Sequence, residues 1–241
     1  MRTLISTLVF AVAALATSAQ AAPPTKPVFS DAFDATGTLN SAWQVATWVN
    51  GHPFGCTFSN QDVSQANGVL TLSFSGHSGK CAEVRTVKFW QYGKFQTRMQ
   101  PAAVPGTVSS FFLYAGAAGT STHHEVDIEF LGSRPNILHT NYWVAGQPQA
   151  LDIDLTAYGI DPQAGPRFYG FEWRADSLTW FTYNDAGQYI QLRKVPVSLS
   201  ASMQLMMNAW YGDNLDSAFI FPGAYDNTPG AAVYDSVQIY K

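Results

Sequence analysis

The residues best suited to chemistry lie in one short segment, His123 to Phe130, where an acid occupies every second position from Glu125 to Glu129. Because alternate side chains of a β-strand point to the same side, Glu125, Asp127 and Glu129 are predicted to share one face and the apolar residues between them the other. This segment contains no Lys or Arg to offset the repulsion, and only 12% of the whole chain is charged. A solvated strand face is the simplest alternative, but it gives no reason to concentrate carboxylates here.

Such a row of carboxyl groups is suited to glycoside hydrolysis. A retaining enzyme needs one carboxylate to attack the anomeric carbon and a second carboxyl, about 5–5.5 Å away, to protonate the departing oxygen. Residues i and i+4 of a strand have Cα atoms about 13.5 Å apart, so the two Glu side chains must lean toward each other. Asp127 can hydrogen-bond a neighbour and keep the proton on one carboxyl, because closely spaced like charges separate their pKa values.

A metal site is an alternative use of the same segment. His123, Glu125 and the distant His139 can be drawn as a two-His, one-carboxylate iron site. That interpretation gives no role to Asp127 or Glu129. We therefore favour carboxyl chemistry.

The elements that must position these residues are strands separated by turns. Apolar or alternating runs of five to eight residues recur, punctuated by Gly, Asn, Asp and Pro, at residues 69–74, 109–114, 137–144, 169–173, 178–183, 189–193, 203–209 and 233–240. No 12-residue stretch has a persuasive helical period. We therefore predict an all-β fold, an antiparallel β-sandwich or jelly roll, in a single domain spanning residues 28–241.

The N-terminal residues predict export. Arg2 supplies a positive start, residues 4–16 are apolar except for Ser6 and Thr7, and Ala19-Gln20-Ala21 forms a small-x-small cleavage site. We expect a secretory signal over residues 1–21 and a short leader over residues 22–27, with an uncleaved N-terminal anchor as the alternative. The apolar run is shorter than the roughly 20 residues of a bilayer span. Stable membrane association is therefore not expected.

Composition and charge narrow the class of partner. The 17 Asp and Glu residues exceed the 13 Lys and Arg residues, and no basic run exists that would neutralise phosphates, so nucleic acid is not an expected partner. Seven Trp, eleven Tyr and sixteen Phe exceed the usual need of a core of this size, and flat rings are good platforms for sugars.

In an exported protein Cys56 and Cys81 predict one disulfide, with two buried thiols as the alternative.

Glu125-Val126-Asp127-Ile128-Glu129-Phe130-Leu131-Gly132 resembles the E-x-D-x-E-F-L-G signature of family 16 glycoside hydrolases, in the branch without an extra bulge residue. The likeness runs through most of the mature chain and is closest to bacterial lichenases, in which two segments similar to residues 54–57 and 81–85 are joined by a disulfide. It implies a concanavalin A-like jelly roll with a carbohydrate cleft across its concave sheet. Glu125 would be the nucleophile, Glu129 the general acid/base, and Asp127 the residue that assists the nucleophile.

The same resemblance implies a set of sugar-binding residues. Side chains expected to hydrogen-bond sugar hydroxyls are Asn50, Glu83, Arg85, Asn141 and Asn208. Rings expected to line the cleft are Trp48, Phe112, Trp143 and Trp210, for each of which core packing is the alternative. His123, another expected cleft residue, stands where lichenases often have Trp. The start His123-His124-Glu125 is also similar to that of transglycosylases and of bacterial enzymes that cut exopolysaccharides.

A structural calcium ion on the convex side is also implied by the resemblance. Its ligands would be main-chain oxygens near Ala32 and Gly68 and the carboxylate of Asp235, in keeping with the preference of calcium for oxygen. A carboxylate at a turn or strand end is the alternative for Asp235. Catalysis is expected to require no cofactor.

These observations predict a secreted, retaining, endo-acting β-glucanase that acts as a monomer. Its only expected partner is a polysaccharide, with mixed-linkage β-1,3-1,4-glucan favoured. The same catalytic pair is compatible with a bacterial exopolysaccharide depolymerase or a xyloglucan-type transglycosylase. A noncatalytic carbohydrate-binding jelly-roll module is the alternative from another class, and the complete acidic triplet argues against it.

Overall fold

The computed structural model describes residues 26–215 and 224–241, so the predicted signal over residues 1–21 and most of the leader lie outside the described residues. The described chain has two short 3₁₀ helices, Asn60–Asp62 and Leu155–Tyr158, and seventeen strands. The strands are β1 (Phe29–Asp31), β2 (Trp43–Val45), β3 (Thr57–Phe58), β4 (Val63–Ala66), β5 (Val69–Phe74), β6 (Lys80–Trp90), β7 (Gly93–Gln100), β8 (Thr107–Ala115), β9 (His124–Leu131), β10 (Ile137–Val144), β11 (Gln147–Pro148), β12 (Leu151–Asp154), β13 (Arg167–Trp173), β14 (Ser177–Tyr183), β15 (Tyr189–Pro196), β16 (Met203–Tyr211) and β17 (Gly230–Tyr240). No helix in these two stretches is long and apolar enough to cross a membrane.

The strands form two sheets, as the predicted sandwich requires. One has the order β15-β14-β13-β7-β17-β5-β4, with β1 also paired to β17. The other has the order β11-β10-β9-β8-β16-β6-β2, with β12 paired to β10 and β3 to β6. All of these pairs are antiparallel except β3 with β6. Every run predicted from the sequence lies in a strand, and β5 and β10 match their predicted bounds residue by residue.

The core forms because alternate strand residues turn inward. In β9 the fully buried side chains are Val126, Ile128 and Phe130, as their alternation with the acids predicts. A single cluster of buried side chains includes residues of both sheets, among them large, fully buried rings such as Trp173 and Trp180. Most of the aromatic surplus therefore packs the core.

A disulfide joins Cys56 to Cys81, as predicted. It connects the segment before β3 to β6 in the nine-stranded sheet. Beside it, the N–H of Phe58 donates to the carbonyl of Trp48 at 3.0 Å. The loop that carries Trp48 and Asn50 is thus fastened to the sheet that carries the acids.

Side chains from the eight-stranded sheet hold the backbone beneath the acidic residues. The indole Nε1 of Trp180 donates to the carbonyl of Asp127 at 2.8 Å. The hydroxyl of Tyr234 lies 2.7 Å from the carbonyl oxygen of Ser110 and 3.1 Å from that of Asn208. These buried contacts fix the middle of β8, β9 and β16.

We expect Tyr234→Phe to lower the free energy of unfolding by about 1–3 kcal/mol, because it leaves two buried carbonyl oxygens without this donor. Chemical denaturation measures the effect. Tyr158→Phe, which alters a more exposed hydroxyl, is the control and should stay within about 0.5 kcal/mol of the wild type. Equal stability of the Tyr234→Phe variant and the control would contradict the assigned role.

Candidate active site

The acids of β9 lie at the centre of an ordered array on the face of the nine-stranded sheet opposite its core side; we call this the cleft face. Directly paired residues on neighbouring strands share a face, so the register defines three rows. The Glu125 row contains Trp143, Glu125, Tyr114, Gln204 and Phe89. The Asp127 row contains Asn141, Asp127, Phe112, Met206 and Arg85. The Glu129 row contains His139, Glu129, Ser110, Asn208 and Glu83.

Glu125 has a fixed hydrogen-bond donor in His123. The Nε2 of His123 lies 2.7 Å from Oε2 of Glu125, and the N–H of Gly119 donates to Nδ1 of the same ring at 3.2 Å. Since Nδ1 accepts, we assign the ring proton to Nε2, which then donates to the carboxylate. The imidazole is only 3% exposed and lies between the rings of Tyr114 and Trp143. His123 thus orients the predicted nucleophile.

The surroundings of the pair Glu125 and Asp127 favour a proton on Asp127. Burial and the charges of Glu125 and Glu129 raise the pKa of Asp127 well above its usual value. Burial also raises the pKa of Glu125, but hydrogen bonds with His123 and Asp127 oppose that shift. This difference favours a protonated Asp127 that donates to an ionised Glu125, which is the state that a nucleophile needs.

Glu129 has the properties of a proton donor. Burial is the largest cause that raises its pKa to about 7, the charge of Glu125 adds to the rise, and His139 opposes it. Its Oε2 lies 3.9 Å from Nε2 of His139. The carboxyl group therefore keeps its proton in acidic solution up to near neutral pH.

A chain of polar contacts holds His139 in place. Its Nδ1 lies 2.6 Å from Oδ1 of Asp152, whose Oδ2 accepts from Nη1 of Arg134 at 2.6 Å. Partial burial raises the pKa of Asp152, but the bonds with His139 and Arg134 outweigh it and lower the pKa below its usual value. The ionised Asp152 fixes the imidazole beside Glu129.

Three buried polar atoms of the Glu129 row have no hydrogen-bond partner among the described residues: Oε1 of Glu83, Oγ of Ser110 and Oδ1 of Asn208. The other oxygen of Glu83 accepts from Nδ2 of Asn208 at 3.1 Å. Burial raises the pKa of Glu83 to about 7. Since buried polar groups normally have partners, these atoms are suited to binding the hydroxyl groups of a bound sugar.

The other predicted sugar-binding residues lie on both sides of the acids. The guanidinium of Arg85 lies 4.6 Å from the ring centre of Trp48, and its Nε donates to Gln44. Asn50 is exposed on the loop beside Trp48. On the β10 side, Oδ1 of Asn141 accepts from the N–H of Gln149 at 2.9 Å. Phe112, only 7% exposed, forms part of the floor beside Asp127.

Trp210 follows Asn208 by two residues on β16 and so shares the cleft face, but another ring covers it. It is 4% exposed and belongs to the core cluster, and the ring of Phe54 stacks on it at 3.9 Å. The segment before Cys56 causes this arrangement, because the N–H of Gly55 donates to the carbonyl of Tyr211 and thereby lays Phe54 over the end of β16. Phe54 is therefore the more accessible ring of the pair.

The structural calcium ion stays a prediction, and one of its expected ligands already has a cationic partner. The strand β17 passes both expected main-chain positions, since its Val237 pairs with Asp31 and its Tyr234 with Leu70. However, the carboxylate of Asp235 accepts from Nη1 of Arg98, so a guanidinium already neutralises it. No step below uses a metal ion.

The alternative iron site also lacks its geometry. His139 belongs to the Glu129 row, whereas Nε2 of His123 contacts Glu125. The Asp127 row lies between these two positions, so the two imidazoles do not converge on one site. No group of three or more His, Cys, Asp or Glu side chains suited to a metal ion exists in the part of the chain that the structure describes.

Ser110 and Tyr114 are site residues that the sequence analysis did not single out. Both lie on β8 at alternate positions with Phe112, which the resemblance did identify. Because alternate residues of a strand share a face, pairing of β8 with β9 would have predicted that Ser110 and Tyr114 lie on the same face as Phe112.

Comparison with known proteins agrees with this arrangement. The profile of the family described as Glycosyl hydrolases family 16 matches residues 50–228. The β-glucanase of Brevibacillus brevis is 34% identical over 227 residues, which cover 89% of this chain and 82% of that protein. The β-glucanase of Bacillus subtilis (strain 168) is 31% identical over 234 residues, with 94% and 91% covered.

Solved structures show the same likeness. The Bacillus licheniformis β-glucanase superimposes with a TM-score of 0.76 at 31% identity, covering 90% of this chain and 100% of that one. A prokaryotic β-1,3-1,4-glucanase (lichenase) derived from a mouse hindgut metagenome gives 0.74 at 31% identity, with 88% and 98% covered. Fold, acidic array and relatives agree, and the chain therefore belongs to the glycosyl hydrolases of family 16 as an endo-β-glucanase.

Proposed function

We propose that this endo-β-glucanase is a secreted, retaining enzyme that cleaves β-1,4 bonds in mixed-linkage β-1,3-1,4-glucan. One observation carries the proposal: two carboxyl groups on one strand face, Glu125 and Glu129, have different surroundings. His123, 2.7 Å from Oε2 of Glu125, opposes the rise that burial causes in the pKa of that carboxyl group, whereas burial raises the pKa of Glu129 to about 7. Pairs of titratable groups set apart in this way divide the roles of nucleophile and acid.

In the first step a carboxylate oxygen of Glu125 attacks the anomeric carbon, and a covalent glycosyl-enzyme ester forms. The bond to the leaving oxygen breaks, and Glu129 transfers its proton to that oxygen. Asp127 keeps its own proton and remains a hydrogen-bond donor to Glu125. The leaving part of the glucan departs with a free hydroxyl group.

In the second step Glu129, now ionised, accepts a proton from a water molecule as that water attacks the anomeric carbon. The ester to Glu125 breaks, and the carboxylate is restored. Two inversions at one carbon give a product with the original β configuration. Glu129 ends with its proton and can begin another cycle.

The choice of substrate rests on the relatives and on the charge of the site. A structural relative of 31% identity is itself described as a β-1,3-1,4-glucanase (lichenase). The three rows contain four acids, Glu83, Glu125, Asp127 and Glu129, and Arg85 is the only Lys or Arg among their residues, so an acidic glycan would meet mostly carboxyl groups. A neutral β-glucan fits these features.

A substrate panel tests the choice. Purified protein is incubated with barley mixed-linkage glucan, a linear β-1,3-glucan, xyloglucan and bacterial exopolysaccharides, and released reducing ends and product masses are measured. We expect rapid cleavage of the mixed-linkage glucan to short oligosaccharides. Faster cleavage of an exopolysaccharide, or transfer of glycosyl units to xyloglucan acceptors without net hydrolysis, would favour the alternative activities.

Secretion is part of the proposal and is supported by the N-terminal sequence. The exported product should lack residues 1–21. Intact-mass measurement of the protein recovered outside the cytoplasm checks the cleavage site. A product that retains Met1 would contradict it.

The pH profile should depend on Glu129. Because this carboxyl group must carry its proton in the first step, we expect kcat/KM to fall about tenfold per pH unit above a pKa near 7. His139 lowers that pKa, so His139→Gln should move the basic limb to higher pH. The measurement is kcat/KM on soluble glucan against pH.

A control separates this shift from other titrations. Glu83 also has a pKa of about 7, but it lies on β6 at the opposite end of the Glu129 row from His139. His77→Gln, at an exposed position in the turn before β6, should leave the profile unchanged. A basic limb that stays fixed in His139→Gln, or moves to lower pH, would show that Glu129 does not set it.

A further inference from the structure

An exposed ring lies at the far end of the Glu125 row. Phe89 is 54% exposed. The next residue, Trp90, is buried and pairs with the buried Met203, so the alternation of the strand points Phe89 away from the core. Phe89 itself pairs with Gln204, which pairs with Tyr114, the partner of Glu125. The ring therefore belongs to the cleft face.

The ring is too far from Glu125 to contact the same sugar unit. Three strand-to-strand steps separate β9 from β6, a distance of about 14 Å at the usual spacing of strands. That distance exceeds the span of one sugar ring. A glucan chain that occupies the site and extends over β16 and β6 reaches Phe89 with another of its units.

The backbone under Phe89 is held rigidly. The register shifts on β6 between Arg85 and Phe89, and the hydroxyl of Thr86 pins this irregularity. Its Oγ1 accepts from Nε1 of Trp90 and from the N–H of Leu205, both at 3.1 Å, and donates to the carbonyl of Lys88 at 2.8 Å. A platform fixed in advance binds with less loss of conformational entropy.

The surroundings of Phe89 suit a neutral sugar. The ammonium of Lys88 lies 4.3 Å from the ring centre of Trp90, and this contact draws it away from Phe89. Nε2 of Gln204 donates to the carbonyl of Thr86 at 2.7 Å, which holds the amide beside the ring with its oxygen available to a hydroxyl group. An exposed ring beside a fixed amide is a recognised arrangement for an amphipathic ligand.

We propose that Phe89, with Gln204, forms a distal subsite on which a sugar unit of the glucan stacks, several units from the bond that is cleaved. The inference rests on the proposed function and extends it: the enzyme prefers long chains. The pairing of β6 with β2 ends at Thr86, so the part of β6 that carries Phe89 is an edge of the sheet. An exposed aromatic ring on a sheet edge favours aggregation unless a ligand or partner covers it. Binding of substrate gives this ring a use.

The test compares chain lengths. The kcat and KM of wild type, Phe89→Ala and Phe89→Trp are measured on polymeric mixed-linkage glucan and on oligosaccharides from it, down to the shortest that is cleaved. We expect Phe89→Ala to raise KM on long substrates about three- to tenfold with kcat unchanged, as for loss of one ring contact. The shortest substrate should show no change, and Phe89→Trp should restore the KM.

The control is Tyr189→Ala, which removes another exposed ring, from the eight-stranded sheet, and should leave every value unchanged. An unchanged KM on long chains in Phe89→Ala, or an equal loss on all lengths, overturns the subsite while the proposed function stands. A wild type that cleaves no β-glucan overturns both. Sedimentation analysis adds a third outcome: a wild-type dimer that Phe89→Ala converts to monomer, without a change in KM, would assign the ring to self-association.

Discussion

Glu125→Gln is expected to lower glucan hydrolysis by about 10⁴-fold or more, in the range seen when a covalent nucleophile is removed. The amide has nearly the shape of the carboxylate, and its oxygen can still accept from Nε2 of His123. It cannot form the ester to the anomeric carbon. The loss is measured as kcat/KM by release of reducing ends, with circular dichroism and denaturation to show that the fold is intact.

A matched control is Glu172→Gln, which changes a Glu of the eight-stranded sheet that pairs with Arg174. It should keep full activity. Substantial hydrolysis by pure Glu125→Gln would contradict the nucleophile assignment. Binding of glucan without any product from the wild type would instead support a noncatalytic binding module.

Glu129→Gln is expected to lower glucan hydrolysis by about 10²- to 10⁴-fold, the usual contribution of a positioned acid or base. The loss should depend on the leaving group. From an aryl β-glucoside oligosaccharide with a strongly acidic phenol, the phenolate departs without receiving a proton. Formation of the glycosyl-enzyme from this substrate should therefore be nearly as fast as in the wild type. Rapid-quench measurement of the first turnover separates this step from slow hydrolysis of the ester.

Equal loss of first-turnover rate on glucan and on the activated substrate would contradict the acid role, because it would indicate a change in the site as a whole. His139→Gln offers a useful comparison. That variant keeps the carboxyl group of Glu129 and removes the imidazole that lowers its pKa. It should shift the pH profile while its rate at acidic pH stays close to that of the wild type.

The array on β9 could be predicted because it depends on local alternation alone. The acids face the cleft and Val126, Ile128 and Phe130 fill the core, as a period of two residues requires. The disulfide was predictable for a similar reason, since two cysteines allow only one pairing. Strand runs such as β5 and β10 were bounded by turn residues that the sequence displays.

The surroundings of the acids depend on contacts between residues far apart in the chain. The unpartnered Oγ of Ser110 becomes meaningful only when β8 lies beside β9, and the role of Asp152 only when β12 lies beside β10. Burial of Trp210 follows from a loop that folds Phe54 over it. Such contacts depend on which distant strands pair and in which register. The periodicity of side chains within one strand does not identify its partner.

Covalent trapping tests the central claim most directly. The wild-type enzyme is treated with a 2-deoxy-2-fluoro β-gluco-oligosaccharide that carries a good leaving group, so that the glycosyl-enzyme forms faster than it is hydrolysed, and the digested protein is mapped by mass spectrometry. We predict one adduct, on the peptide that contains Glu125 and at that residue. An adduct on another residue, or turnover of the reagent with release of the α-configured sugar and no adduct, would contradict the mechanism.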